Sequence, residues 1–313
     1  MSDFVAPLET YRPLRPMRSR FVTVRGLAHH VMEWGDAGTD ARPPLVMAHG
    51  WMDVGASFQF VVDALPEGRH CIAFDWRGFG RSATPQADTY YFPEYLGDLD
   101  GLLDDLVGRD GGPVDLLGHS MGANVSMLYC GVRPERVRRF VNLEGFGTPR
   151  ATPPQAPKRF AGWLDSLREG ERLRDYASLE DVAARLLKTN PLLRPDRARW
   201  VAGHWSAFVD GAEGARRLLA DPNHKRNSPT LPNVDEWLAV WERIVAPVLF
   251  IEGDRTDLRV WWGERYGKPE FEERLATLKA PLERHVVSPA GHMLHHDRPE
   301  DVAGHVERFL ANP

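Results

Sequence analysis

Gly118-His119-Ser120-Met121-Gly122 sets a serine between two glycines, where an apolar run (Val114 to Leu117) gives way to a helical one (Asn124 to Cys130). A serine on a tight strand-to-helix turn is strained and exposed, and glycines two before and two after it let neighbouring backbone come close. With 28 glycines in 313 residues, chance would produce such a G-x-S-x-G pattern only about 0.1 times in a chain of this composition. A serine hydroxyl is a poor nucleophile at neutral pH and needs a base within hydrogen-bond reach. The candidate base is His292 in SPAGHMLHHDRPE, a loop after the last strand-like run. His292, His295 and His296 also spell H-x-x-H-H, but no H-E-x-x-H pattern or second Cys/His cluster accompanies them, so we expect a base there and no metal. His119 and His49 are expected to pack or to hydrogen-bond.

A third group should fix the tautomer of the base and stabilise its imidazolium form. Asp257, in GDRTDLRV after the penultimate strand-like run, fits a Ser, Asp, His chain order and is the preferred acid. Glu144, in VNLEGFG at the end of the preceding run, is its competitor, and Asp254 is read as closing a turn. Acyl transfer further needs donors aimed at the developing oxyanion. The backbone N–H of Met121, next to the serine, supplies one, and that of Trp51, after His49-Gly50, the other. This chemistry requires no cofactor.

The elements that must hold these groups alternate. A hairpin pattern in FVTVRG and AHHVMEW is followed by apolar runs at Pro44 to Gly50, His70 to Asp75, Pro113 to Ser120, Val137 to Gly145, Ala246 to Asp254 and Glu283 to His292. Helical patterns lie between most of them. Leu96, Leu99, Leu103 and Leu106 mark the clearest, with Asp98, Asp100, Asp104 and Asp105 assigned to its other face. Such alternation predicts a mostly parallel sheet covered on both faces. From Thr148 to Asn233 no strand-like run is visible, and helical pieces around 160–172, 179–188 and 195–208 suggest a helical cap. The expected organisation is an extended arm (1–19), a core (20–147 and 234–313) and the cap (148–233). Five of the ten tryptophans (Trp163, Trp200, Trp205, Trp237 and Trp241) fall in or just after that insertion, and at least half of them are expected to pack.

Composition narrows the classes. A net charge of −5 without a dense Lys/Arg block gives no electrostatic footprint for nucleic acid. The longest apolar run, Val245 to Ile251, is far short of the roughly 20 residues that span a bilayer. The N-terminus carries Pro and Arg where a secretory signal has its apolar stretch, and Cys71 and Cys130 read as isolated core thiols, so a cytoplasmic monomer or homodimer is expected.

The motifs HGWMDVGASF, DWRGFGRS, GHSMG, the GDRTD loop and AGHMLHHDRPEDV together resemble the α/β-hydrolase fold superfamily in its lidded, single-serine form, from about Phe21 to Leu310. HGWMD, VNLEGFG and the lid end DPNHKRNSP are most similar to serine hydrolase-like proteins. The resemblance implies an eight-stranded sheet with a lid inserted after strand 6. It also implies Ser120 as nucleophile, His292 as base, Asp257 as acid, and Trp51 with Met121 as oxyanion donors. In that family the acid often stands three residues after the strand-end glycine, a place held here by Thr256, one before Asp257. Asp75, Arg77 and Arg81 of DWRGFGRS are read as a structural brace. The implied activity is hydrolysis of a carboxylic ester or related small acyl compound through an acyl-enzyme. Carbon–carbon bond hydrolases, thioesterases, amidases and perhydrolases use the same triad. A non-catalytic ligand-binding protein of this fold is the alternative of another class. Epoxide hydrolases and haloalkane dehalogenases of this fold use an aspartate where Ser120 stands.

Overall fold

In the computed structural model, which describes residues 10–38 and 41–311, eight strands form one sheet. These are β1 (Arg18–Val24), β2 (Leu27–Trp34), β3 (Leu45–Ala48), β4 (Cys71–Phe74), β5 (Val114–His119), β6 (Val137–Leu143), β10 (Val248–Gly253) and β11 (Leu282–Val287). Their spatial order is β1-β2-β4-β3-β5-β6-β10-β11, antiparallel at the β1 and β2 edge and parallel from β4 onward. β3, β4, β5 and β10 are buried at every residue, which is why they read as continuous apolar runs.

Helices cover both faces. Phe92–Val107 and Met121–Val132 seal a core that includes Phe74, Leu99, Leu102, Val125, Tyr129 and Phe250, while Gln59–Ala64 and Pro299–Ala311 seal the other, around Trp34, Phe58, Phe60, Val306 and Phe309. Each large apolar side chain so buried stabilises the fold by about 1.5–3 kcal/mol. One assignment along Phe92–Val107 changes. Asp98 lies on the buried face, with both carboxylate oxygens accepting from the Arg77 guanidinium and a further contact to Arg25 at 3.1 Å. A charge is tolerated there because it is paired and hydrogen-bonded. Asp75 braces the sheet end by accepting from the N–H groups of Gly55 (2.8 Å) and Arg81 (2.9 Å) and contacting His30 Nδ1 at 2.8 Å.

The stretch between β6 and β10 holds the helices Ala156–Glu169, Leu179–Thr189 and Pro195–Trp205. It is not purely helical: β7 (Asp175–Tyr176), β8 (Ser206–Phe208) and β9 (Arg216–Leu218) form a separate antiparallel sheet in the order β7-β9-β8. Strands of two and three residues are too short for alternation to show in sequence. The stretch is anchored to the core where Trp205 Nε1–H donates to the Met52 carbonyl (2.7 Å) and Arg197 pairs with Glu300 (2.8 Å). The arm begins its described part at Thr10; Tyr11 donates from its N–H to the Asp196 carbonyl (3.1 Å) and from its hydroxyl to Asp63 (2.7 Å).

Register is what positions the chemistry. His119 pairs with Leu143 and Leu143 with Ile251, so β5, β6 and β10 end nearly in line, and Ser120 and Glu144 emerge side by side at their carboxyl ends. In open α/β sheets that edge is where ligands bind.

Candidate active site

Ser120 leaves β5 with φ 52° and ψ −116° and caps the helix Met121–Val132. A positive φ at a non-glycine residue costs of order 1–3 kcal/mol, and the surroundings fix it: the Ser120 N–H donates to the Leu143 carbonyl (2.8 Å), and its own carbonyl accepts from Asn124 (3.0 Å). The flanking glycines are sterically required. A Cβ on Gly118 would lie 2.4 Å from Ala123 Cα, and one on Gly122 would lie 2.2 Å from the Ala48 carbonyl oxygen.

His292 follows β11 on a loop held by two carboxylates. Asp254 accepts from Ser288 Oγ (2.7 Å) and the Ala290 N–H (2.9 Å), and Asp297 accepts from the Gly291 N–H (2.9 Å). His292 Nε2 stands 2.9 Å from Ser120 Oγ, and its Nδ1 stands 3.0 Å from Glu144 Oε2. A carboxylate can only accept when ionised, so the consistent tautomer carries its proton on Nδ1 and leaves the Nε2 lone pair for the serine hydroxyl. Burial holds His292 down to about 4, with the charge of Asp53 acting the other way. Burial raises Glu144 well above the ordinary carboxylate range, opposed by the Gly253 N–H, which donates to Oε1 at 2.6 Å, and by the Thr256 hydroxyl beside it.

The structure does not bring Asp257, the acid expected from sequence, to the His292 ring. Asp257 is exposed, accepts from the Arg259 N–H (3.0 Å) and pairs with the Arg259 guanidinium at 2.8 Å, which holds its carboxyl below the usual range. After β10 the chain spends Asp254 on the histidine loop, then turns outward at Asp257. The carboxylate against the base is Glu144, with φ 60°, its N–H donating to the Ile251 carbonyl (3.1 Å) and its side chain fully buried.

Met121 is the first residue of its helix, so its N–H has no intrahelical acceptor and stands next to Ser120 Oγ's own backbone. Gly50 packs so closely on this turn that an added Cβ would lie 3.2 Å from Ser120 Cβ, which brings the backbone leading into Trp51 beside the serine. The Trp51 ring is half-exposed, and its Nε1–H donates to the His224 carbonyl (3.2 Å). His49 packs against Trp76 and accepts from the Trp76 N–H at Nε2 (3.0 Å). Two neighbours of the base were given no role from sequence: Trp261, whose partly exposed ring lies 4.4 Å from the His292 ring, and Asp53, the buried last residue of HGWMD, whose charge acts on His292. Of the tryptophans in and after the insertion, Trp200, Trp237 and Trp241 are buried and Trp163 donates to Thr89 Oγ1 (2.9 Å).

A family model described as alpha/beta hydrolase fold matches residues 43–299. The chain belongs to the α/β-hydrolase fold family. It is 25% identical over 236 residues to a serine hydrolase-like protein of Danio rerio, covering 70% of this chain and 68% of that one. It is 26% identical over 328 residues to epoxide hydrolase 3 of Siraitia grosvenorii, covering 92% and 96% respectively. Among solved structures, a hypothetical protein of Pseudomonas aeruginosa PAO1 superposes with a TM-score of 0.80 at 25% identity, covering 94% of this chain and 98% of that one. Among the described residues no helix is long and apolar enough to cross a membrane.

Proposed function

We propose that this protein hydrolyses a small carboxylic ester or related acyl compound through an acyl-enzyme, with Ser120 as nucleophile, His292 as base and Glu144 as acid. The observation that carries the reading is the continuous contact from Ser120 Oγ to His292 Nε2 (2.9 Å) and from His292 Nδ1 to Glu144 Oε2 (3.0 Å). His292 takes the serine proton as Oγ adds to the carbonyl carbon. The oxyanion forms between the N–H groups of Trp51 and Met121. The protonated His292, steadied by Glu144, then hands its proton to the leaving alcohol; a water deprotonated by the same ring adds to the acyl carbon, and Ser120 departs reprotonated.

The exposed Trp261 ring beside His292 favours an apolar acyl or alcohol group. We take 148–233 as the cap over this edge. A serine at the elbow argues against the alkyl-enzyme route that an aspartate would serve, whatever the name of the plant relative. The two buried, unbridged thiols Cys71 and Cys130 support a cytoplasmic setting.

The test is a panel of nitrophenyl esters of increasing acyl length, with fluorophosphonate labelling, on wild type and Ser120→Ala. Turnover and labelling in the wild type, both abolished in a folded Ser120→Ala, are expected. A wild type that neither turns over any ester nor labels would favour the non-catalytic ligand-binding alternative, and activity retained without Ser120 would overturn the mechanism.

A further inference from the structure

Beside the triad lies a buried polar cluster that the proposed chemistry does not use. The His119 ring is 4.3 Å from that of His295, which is 4.3 Å from that of His296; Asp53 sits against them, with Oδ2 3.8 Å from His295 Nε2. His119, His295 and Asp53 are at most 5% exposed. His119 Nδ1 and both ring nitrogens of His295 have no hydrogen-bond partner among the protein atoms. A buried polar group left so costs about 1–3 kcal/mol, and a concentration of them calls for an explanation.

The tautomer of His119 follows from its surroundings. Its Nε2 lies 2.8 Å from the His292 carbonyl oxygen, which can only accept, so Nε2 carries the proton and Nδ1 presents a lone pair. Two buried imidazoles, with His119 Nδ1 and both His295 ring nitrogens unpartnered by protein atoms, thus face a carboxylate, and one ligand atom from each of the three residues lies within 4.8 Å of the others. In the tetrahedral shell of a zinc ion, bonds of about 2.0–2.2 Å set ligand atoms about 3.4 Å apart, so the triangle closes by up to about 1.4 Å when an ion binds.

We infer that Asp53, His119 and His295 form a binding site for a divalent late transition cation of the zinc class. Two nitrogens and one carboxylate suit such an ion, whereas calcium and magnesium favour all-oxygen shells. Two of the three ligands already have the outer partners that orient metal ligands: the His292 carbonyl takes the His119 N–H, and Ser57 Oγ donates to Asp53 Oδ2 at 2.8 Å. The site is not the H-x-x-H-H spacing read from sequence, because both ring nitrogens of His292 are engaged by Ser120 and Glu144. An ion on His119 Nδ1 makes the Nε2–H a stronger donor to the His292 carbonyl and so ties metal occupancy to the loop that carries the base.

The experiment titrates chelator-stripped, full-length protein with Zn2+ by calorimetry and with Co2+ by visible absorption, and follows thermal melting in parallel. One equivalent should bind, raise the melting temperature and give Co2+ bands of a nitrogen- and oxygen-ligated ion. Asp53→Asn and His295→Gln should each weaken binding at least tenfold, while Ser120→Ala binds as wild type. Because no step requires turnover, a protein without esterase activity would still report on the site. No saturable one-equivalent binding, or equal binding by a folded Asp53→Asn, would overturn the inference; should His295→Gln not fold, Asp53→Asn alone decides.

Discussion

Glu144 reaches His292 across the ends of adjacent strands: Oε2 meets Nδ1 at 3.0 Å, while Oε1 accepts from the Gly253 N–H of the next strand along. The carboxylate is thereby clamped between β6 and β10, fully buried and aimed at the ring without the help of a mobile side chain. In the proposed relay, a buried carboxyl group held this way orients the imidazole.

Replacing Glu144 by Gln should lower kcat by about 10³–10⁴, since the amide keeps the volume but permits the wrong ring tautomer. Asp257→Asn should stay within about twofold of wild type, as its partner is an exposed arginine. Steady-state kinetics on one nitrophenyl ester checks both. The opposite ranking would return the acid to Asp257.

The pH profile follows from the base. His292 works as the neutral ring, and burial pushes its pKa down to about 4. Hydrolysis should therefore persist below pH 6.5, with the acidic limb of kcat/KM falling toward 4 as the ring takes up a proton. A limb centred above 6.5 would contradict the desolvated setting.

Stability should follow the same direction for a different reason. His119 and His224 are lowered to about 3 by burial, and His49, His295 and His296 are also lowered. Unfolded chains protonate these rings near 6.5, whereas the fold keeps them neutral. Their contribution is complete above about 6.5 and drains away as pH falls toward 3, by up to about 1.4 kcal/mol per pH unit for each ring. Urea midpoints at pH 7.5, 5.5 and 4.5 should fall in that order; constant midpoints would count against it.

Gly122→Ala tests the elbow. The new methyl would meet the backbone oxygens of Ala48 and His49 at 2.2 and 2.5 Å, and neither can rotate away. Overpacking should cost about 1–3 kcal/mol and push the β3 end, with Trp51, away from Ser120. Slower fluorophosphonate labelling together with a lower melting temperature is expected; unchanged labelling would separate Trp51 from the oxyanion role.

The sheet and the serine turn were legible because each has a local signature: buried strands read as apolar runs, and a strained serine needs glycines at fixed offsets. The carboxylate that meets His292 was harder to read. Asp257 and Glu144 both follow strand-like runs, and only the register of β6 against β10 decides which faces the ring. Asp98 misled for a related reason, since helical periodicity cannot see the Arg77 guanidinium that makes its burial tolerable. β7, β8 and β9 are defined by pairing across tens of residues. The Asp53, His119 and His295 cluster joins a loop, a strand end and a short helix, so no spacing could have announced it.

In the proposed relay Glu144, just past the end of β6, frees the outward stretch from Asp257 to Trp262 from holding the base in place. Changes there can reshape what approaches His292, through Trp261 above all, without unseating the carboxylate. For a lineage of enzymes, that makes this loop ground on which preference for one compound over another can drift while the reaction itself is inherited intact.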